Sequence, residues 1–231
     1  MEGSKKGRRL GGRLLAEFAV IVVGVWIALW GDGWASDRRD RALERVRLQA
    51  LVENVQLLRT NLAAEAEDVG GAGDALRALI AGPRDDPAAI EAHFAYGLFY
   101  VSMVYARSSV YDDLKNSGEL ALLTDPALRE ALSEMEALLE GLQGAQRDMA
   151  TVQQLTVDPF LIGHFNLYPV LSSFLDLSES GESSGVVDVL DSDEFRNQVL
   201  FKLDLTTQVG AALARVQNQL DHVEQLIRAQ L

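Results

Sequence analysis

Residues 48–62, LQALVENVQLLRTNL, give the clearest indication of the fold. The apolar side chains of this segment recur at alternating intervals of three and four residues, namely at Leu48, Leu51, Val55, Leu58 and Leu62. This spacing places one apolar stripe along an α-helix, and a stripe of this kind is buried by packing against other elements. The segment therefore predicts a long amphipathic helix that belongs to a bundle.

The stripe continues in the same phase after Glu65 interrupts it. Its later members are Val69, Ala72, Leu76 and Leu79. Gly70, Gly71 and Gly73 lie among them, and each glycine costs about 1 kcal/mol relative to alanine inside a helix. The sequence leaves open whether the helix continues, bends or breaks at these glycines.

Later helices are marked by their start signals. Asp86-Pro87 and Asp125-Pro126 each combine a capping aspartate with a proline at the first helical position. The helix after Pro126 carries an apolar stripe of Leu128, Leu132, Met135, Leu139 and Leu142. Two further helices are therefore expected, beginning at 87 and at 126.

The last helix is predicted to begin at a capping box formed by Asp191 and Glu194. Its apolar positions are Val209, Leu213, Val216, Leu220, Val223 and Ile227. A stretch rich in Ser, Gly and Glu at 177–186 precedes it and predicts a flexible loop. Long striped helices at both ends of a domain can pack antiparallel, so the predicted fold is all-α, an antiparallel helical bundle with long first and last helices.

A near-continuous apolar run, LLAEFAVIVVGVWIALW, occupies residues 14–30. In helical form it would extend about 26 Å, close to the thickness of the hydrocarbon core of a bilayer. A signal peptide cleaved after Ala35 is one alternative, but its apolar core is usually shorter. A prepilin leader cut between Gly12 and Arg13 is another, although it would leave a charged residue at the new N-terminus. The sequence favours an uncleaved transmembrane anchor.

The resulting organisation is a basic tail at 1–13, a transmembrane anchor at 14–34 and a helical domain at 35–231. Arg13, Trp30 and Trp34 frame the anchor as interfacial residues. The basic residues on the two sides of the anchor are balanced in number, but those of the tail abut the apolar run directly. We therefore expect the N-terminus in the cytoplasm and the large domain in a bacterial periplasm, with the anchor in the inner membrane.

One narrow face of the predicted anchor is formed by Glu17, Gly24, Ala28 and Gly31. Gly24 and Ala28 are a pair of small residues four apart, a spacing that allows close approach of another helix. The face is accordingly predicted to dock against a partner helix. Glu17 by itself has a simpler interpretation, in which it pairs with Arg13 one turn away and reaches the interface.

Aromatic residues concentrate in the middle of the domain. Tyr96, Tyr100, Tyr105 and Tyr111 form a candidate partner surface, because tyrosine combines rigid contact area with a polar tip. Aromatic side chains on helices more often fill a core, and that alternative stays open for these four. The segment 116–118, Asn-Ser-Gly, is a helix stop.

Composition argues against several classes of function. The net charge of −13 disfavours nucleic-acid binding, which depends on neutralising phosphates. The chain has no cysteine, which excludes thiolate catalysis and cysteine-ligated clusters. His93, His164 and His222 are too far apart in sequence to suggest a zinc motif. We expect no catalytic site, no metal and no cofactor, and therefore a protein that is not an enzyme.

Two segments carry a resemblance to a known family. The anchor pattern from Glu17 through Gly24, Ile27-Ala28-Leu29 and Trp34, with residues 111–120, YDDLKNSGEL, resembles the signatures of a bacterial family of single-pass membrane proteins classed as a domain of unknown function. The resemblance covers about sixty positions and departs from the usual pattern at 30–33. It implies a cytoplasmic N-terminus, one membrane span and an external helical domain, without a known activity.

These observations predict a non-catalytic accessory or scaffold subunit of a larger membrane complex. Its partners would be the lipid bilayer and an integral membrane protein complex, and self-association stays open. A membrane-tethered ligand-binding or sensor-like module is the alternative. Because the tail at 1–13 is too short for an output domain, such a module would signal through a partner.

Overall fold

The computed structural model describes residues 4–172, 177 and 183–231. Within the N-terminal part it describes the side chains of residues 18, 22–26, 30 and 34, and from 38 onward those of all described residues. The described residues form helices and connecting segments and contain no strand. The predicted all-α class is therefore confirmed.

The first helix, α1, runs without interruption over Ser4–Ala81. Its 78 residues correspond to about 117 Å of helix. It passes through Gly70, Gly71 and Gly73 without a break, and the surroundings of Gly71 give a physical reason. A Cβ at Gly71 would lie 2.9 Å from the ring of Tyr96, so glycine lets the next helix pack closely here.

Among the described residues, no helix is both long enough and apolar enough to cross a membrane. For most residues of the predicted anchor at 14–34, the structure does not describe the side chain.

The bundle core is built from α1, α4 (Pro126–Val152) and α8 (Asp193–Arg228). α8 runs antiparallel to α1, because Gln56 donates to Glu224 at 3.0 Å and Gln217 donates to the carbonyl of Leu62 at 3.2 Å. The predicted stripes of α4 and α8 and the α1 stripe from Leu48 to Val69 are buried in one cluster. Leu76 and Leu79, at the end of the α1 stripe, are buried in a second cluster. Val209, Leu213, Val216, Leu220, Val223 and Ile227 are each fully buried.

An irregular part of the chain packs between α1 and α4. It consists of α2 (Pro87–Phe99), a non-helical segment at 100–108, α3 (Ser109–Ser117) and a short 3-10 helix at Glu119–Leu122. The predicted cap of α2 is confirmed, because the Asp86 carboxylate accepts from the backbone N–H groups of Ala88 and Ala89. Gly118 ends α3 with a φ of 76°, a conformation that glycine adopts without strain.

A second core cluster lies at the end of the bundle where α1 ends and α8 begins. After α4 the helix passes through a π-helical turn at Gln153–Val157 into α5 (Asp158–His164), followed by α6 (Tyr168–Ser172) and α7 (Val186–Val189). Phe94, Phe165 and Phe195 pack together here, with Phe94 and Phe165 ring centres 4.9 Å apart. Residues 178–182, half of the loop predicted at 177–186, lie outside the described residues.

The start of α8 differs from the prediction. The capping residue is Ser192, whose hydroxyl accepts from the backbone N–H of Phe195, and not Asp191. The predicted capping box is therefore wrong by one residue. Ser192 supplies the hydrogen-bond acceptor for the free N–H groups of the first turn, and Asp193 and Glu194 supply the negative charge that is favourable at a helix N-terminus.

Candidate functional site

The described side chains in the N-terminal part of α1 are apolar and exposed. Phe18, Trp26, Trp30 and Trp34 are each between 63% and 71% exposed. Successive residues turn by about 100°, so the described apolar positions from Phe18 to Trp34 cover about half of the helix circumference. This is a broad apolar surface, of a kind that soluble monomers rarely expose.

The docking face predicted on this part of α1 is described at one position. At Gly24, an added Cβ would meet nothing within 4 Å, so the backbone there is open to a neighbour. The side chains of Glu17, Ala28 and Gly31 lie outside those described, as does that of Arg13, which was predicted to lie at the membrane interface.

The four predicted tyrosines divide between two places. Tyr96 of α2 and Tyr100, the residue that follows α2, both face α1, and their ring centres are 6.3 Å apart. The Tyr96 hydroxyl donates to the carbonyl of Asp68 at 3.2 Å, and the Tyr100 hydroxyl donates to the Glu65 carboxylate at 2.7 Å. Both rings therefore brace α2 against α1.

Tyr105 and Tyr111 lie apart from that pair and line a cavity of about 260 Å³. Tyr105 is 76% exposed, whereas Tyr111 is 3% exposed and belongs to the core. Of the four tyrosines, Tyr105 is accordingly the most available to a partner. The cavity opens where the non-helical segment runs beside α4, because an extended segment fills less of this space than a helix would.

Paired charges surround this cavity. Arg107 contacts Asp112 at 2.8 Å, and Lys115 contacts Glu136 at 2.7 Å. The hydrogen bond to Glu136 raises the pKa of Lys115, and burial, followed by the charge of Glu136, raises the pKa of Tyr111. Both pKa shifts keep Lys115 charged and Tyr111 neutral at neutral pH, so neither of these two side chains is suited to proton transfer there.

Two glutamines of α4 and one of the π-helical turn hold the non-helical segment and the end of α2 in place. Gln143 donates to the carbonyl of Ala106 at 3.0 Å, and Gln153 donates to the carbonyl of Leu98 at 3.1 Å. Between them, the Gln146 amide lies 2.9 Å from the Ser102 hydroxyl. The glutamines supply polar partners that a neighbouring helix or strand would otherwise supply, which explains why an extended segment is stable inside a helical bundle.

A buried lysine near the π-helical turn was not predicted. Lys202 of α8 is fully buried, and its ammonium donates to the side-chain carbonyl of Gln153. The Gln153 amide in turn donates to the Asp158 carboxylate at 2.6 Å. Burial lowers the pKa of Lys202 to about 8, with the charge of Asp158 acting in the opposite direction.

The signal for this lysine was present in the sequence. Counting back by seven from Val209, a core position of α8, leads to Lys202, so a charged residue occupies a core position of the heptad pattern. The π-helical turn itself is not marked in the sequence by a glycine or by a cluster of charged residues.

Among the described residues, no group of three or more His, Asp or Glu side chains could hold a metal ion. No family model matches the chain, and neither a curated protein nor a solved structure matches it significantly.

Proposed function

We propose that this chain is a non-catalytic accessory or scaffold subunit of a bacterial membrane complex. In this proposal, residues 14–34 form its transmembrane anchor and the helical bundle braces the complex from the periplasmic side. The observation that carries the proposal is the apolar surface of α1, where Trp26, Trp30 and Trp34 are exposed to between 63% and 71%. Burial of this surface in lipid or against another membrane helix would remove an unfavourable contact with water.

The continuity of α1 supports a bracing role. The same helix carries the proposed anchor and, from Leu48 onward, the core of the bundle. A helix without a break transmits position and orientation, whereas a flexible linker would let the bundle drift. A docked anchor would therefore hold the bundle at a defined place on the partner complex.

The small-residue face supports docking within the membrane. Helices associate in lipid through close backbone approach at residues such as glycine and alanine. Gly24 has open space around it, so a partner helix could reach the backbone of α1 there. In this proposal the membrane-spanning part recognises the partner, so the helical bundle needs no catalytic site of its own.

Co-purification of the complex tests this proposal with a matched pair of variants. The double variant Gly24→Leu/Ala28→Leu keeps the helix apolar but fills the small-residue face, so it should reach the membrane and lose its partner. Val22→Leu/Trp26→Leu changes the opposite side of the helix and should keep the partner. Equal co-purification of both variants would contradict docking through this face.

The cavity beside α4 favours a second candidate, a membrane-tethered ligand-binding module. Its volume of about 260 Å³ suits a small molecule of a few heavy atoms. Native mass spectrometry of the purified chain would then show an added mass that Leu139→Trp removes, because Leu139 lines the cavity. An unliganded mass for both proteins would contradict this second function.

A further inference from the structure

One face of α1 carries a tryptophan followed by arginines. Trp34, Arg38, Arg41 and Arg45 are separated by four, three and four residues, so their positions fall within about 60° of one another around the helix. All four side chains are exposed. We call these four residues the arginine stripe.

The stripe is held together at its N-terminal end. The Arg38 guanidinium lies over the Trp34 ring, 5.6 Å from the ring centre, which is a cation–π arrangement. In the part of the chain that the structure describes, Arg38, Arg41 and Arg45 have no carboxylate partner. Their charges are thus available to an external anion.

Nearby acidic side chains with a described position do not face the stripe. Asp40 lies about 160° around the helix from Arg38 and about 100° from Arg41. Glu44 is turned inward, where its carboxylate accepts from the backbone N–H and the hydroxyl of Thr124 at 2.7 and 2.8 Å. The side chain of Asp37 lies outside those described.

We infer that the arginine stripe binds the phosphate groups of anionic lipids at the membrane surface next to the anchor. This inference rests on the proposed membrane anchor. Tryptophan prefers the interfacial region, and Arg38 lies about 6 Å further along the helix than Trp34, within the headgroup layer. Arg41 lies at the outer edge of the headgroup layer, and the long side chain of Arg45 can reach back toward that layer.

The charge of the rest of the molecule gives such a contact a role. The chain carries a net charge of −13, so anionic lipid repels the bundle. Arginines that bind lipid phosphate on one side of α1 would fix the rotation of the helix at the surface and keep the acidic bundle clear of the bilayer. Arginine suits this task because its planar guanidinium binds phosphate with two parallel hydrogen bonds.

The test uses the full chain in vesicles, with three proteins compared. They are the wild type, Arg38→Gln/Arg41→Gln/Arg45→Gln, and the control Arg147→Gln/Arg196→Gln/Arg215→Gln, which removes the same charge from exposed positions on α4 and α8. Spin-labelled phosphatidylglycerol and phosphatidylcholine report which lipid each protein retains at its surface. Inorganic phosphate, added at constant ionic strength, distinguishes a site for lipid from a site for free phosphate.

We expect the wild type and the control to prefer phosphatidylglycerol by roughly fivefold, and the stripe variant to show little preference. Equal preference in all three proteins, or loss of preference on adding millimolar phosphate, would overturn the lipid assignment. Flotation with vesicles of phosphatidylcholine alone tests the anchor separately. Failure to float there would overturn the proposed anchor, whereas flotation without lipid preference would overturn the stripe alone.

Discussion

Lys202 shows how much a single buried residue can say about stability. A lysine whose pKa is lowered by burial binds its proton less tightly in the folded than in the unfolded chain. Between pH 8 and 10.5 the unfolded chain therefore carries more protons, and stability rises with pH over that window.

The first prediction concerns this pH dependence. We expect the free energy of unfolding of the wild type to increase by about 2 kcal/mol relative to Lys202→Met between pH 7.5 and 9.5, since each pKa unit is worth about 1.4 kcal/mol. Urea unfolding of both proteins at several pH values measures the difference. Parallel profiles would mean that Lys202 keeps an ordinary pKa.

The second prediction concerns Tyr100 and Tyr105, two tyrosines of the non-helical segment. Tyr100→Phe removes the hydrogen bond to Glu65, and we expect a loss of about 1–2 kcal/mol of stability, because the carboxylate loses a partly buried donor. Tyr105→Phe is the matched control, since this ring is 76% exposed and should change stability by less than about 0.5 kcal/mol. Chemical unfolding compares the two variants, and equal losses would contradict a specific role for Tyr100.

At the scale of elements, the least regular part of the bundle depends on side chains of its neighbour. The segment at 100–108 alternates buried and exposed residues, with Ser102 and Ala106 buried and Met103 80% exposed. Gln143 of α4 donates to the carbonyl of Ala106, and the Gln146 amide, in the orientation that satisfies both its oxygen and its nitrogen, pairs with the backbone N–H and carbonyl of Val104. Side-chain amides thus replace part of the backbone hydrogen bonding that a continuous helix would provide over residues 100–108.

The third prediction follows from this arrangement. Gln146→Ala should destabilise the segment, so that chymotrypsin cleaves more rapidly after the exposed Tyr105, and should lower global stability by about 1–3 kcal/mol. Gln154→Ala is the control, because Gln154 is exposed on the same helical stretch. Unchanged cleavage in Gln146→Ala would show that the segment holds its position without the glutamine.

The fourth prediction concerns the contact between α1 and α2. A Cβ at Gly97 would lie 2.9 Å from Leu76 and 3.2 Å from the backbone nitrogen of that residue, so Gly97→Ala should cost about 1–3 kcal/mol. Gly70→Ala meets nothing within 4 Å and should instead stabilise by about 0.5–1 kcal/mol. Thermal unfolding distinguishes them, and shifts in the same direction would contradict the close packing at Gly97.

These elements also show where sequence reasoning was sufficient. The core positions of α1, α4 and α8 were predictable, because the periodicity of long helices dictates which side chains meet. Whether α1 continues through its glycines was not, since the answer depends on Tyr96, which packs from another helix. The heptad position of Lys202 indicates its burial, but its contact with Gln153 and the other glutamine contacts depend on tertiary neighbours and were not predictable.

At the scale of the whole molecule, the proposed anchor and its proposed orientation place the helical domain in the periplasm. If the N-terminus is cytoplasmic, a reporter that is active only outside the cytoplasm should be active when fused after Leu231. The same reporter fused ahead of Arg13 should be inactive. The reverse pattern would make the acidic bundle cytoplasmic and contradict the proposed periplasmic location.

The central claim is that residues 14–34 are an uncleaved anchor for the helical bundle. Its most direct test is intact-mass measurement of the chain after extraction of the membrane fraction with alkaline carbonate. We expect the protein to stay in the membrane fraction with a mass that includes residues 14–34, and a chain that lacks residues 1–34 to be released. Release of the full chain by carbonate, or a mature N-terminus at Arg13 or Ser36, would contradict the claim.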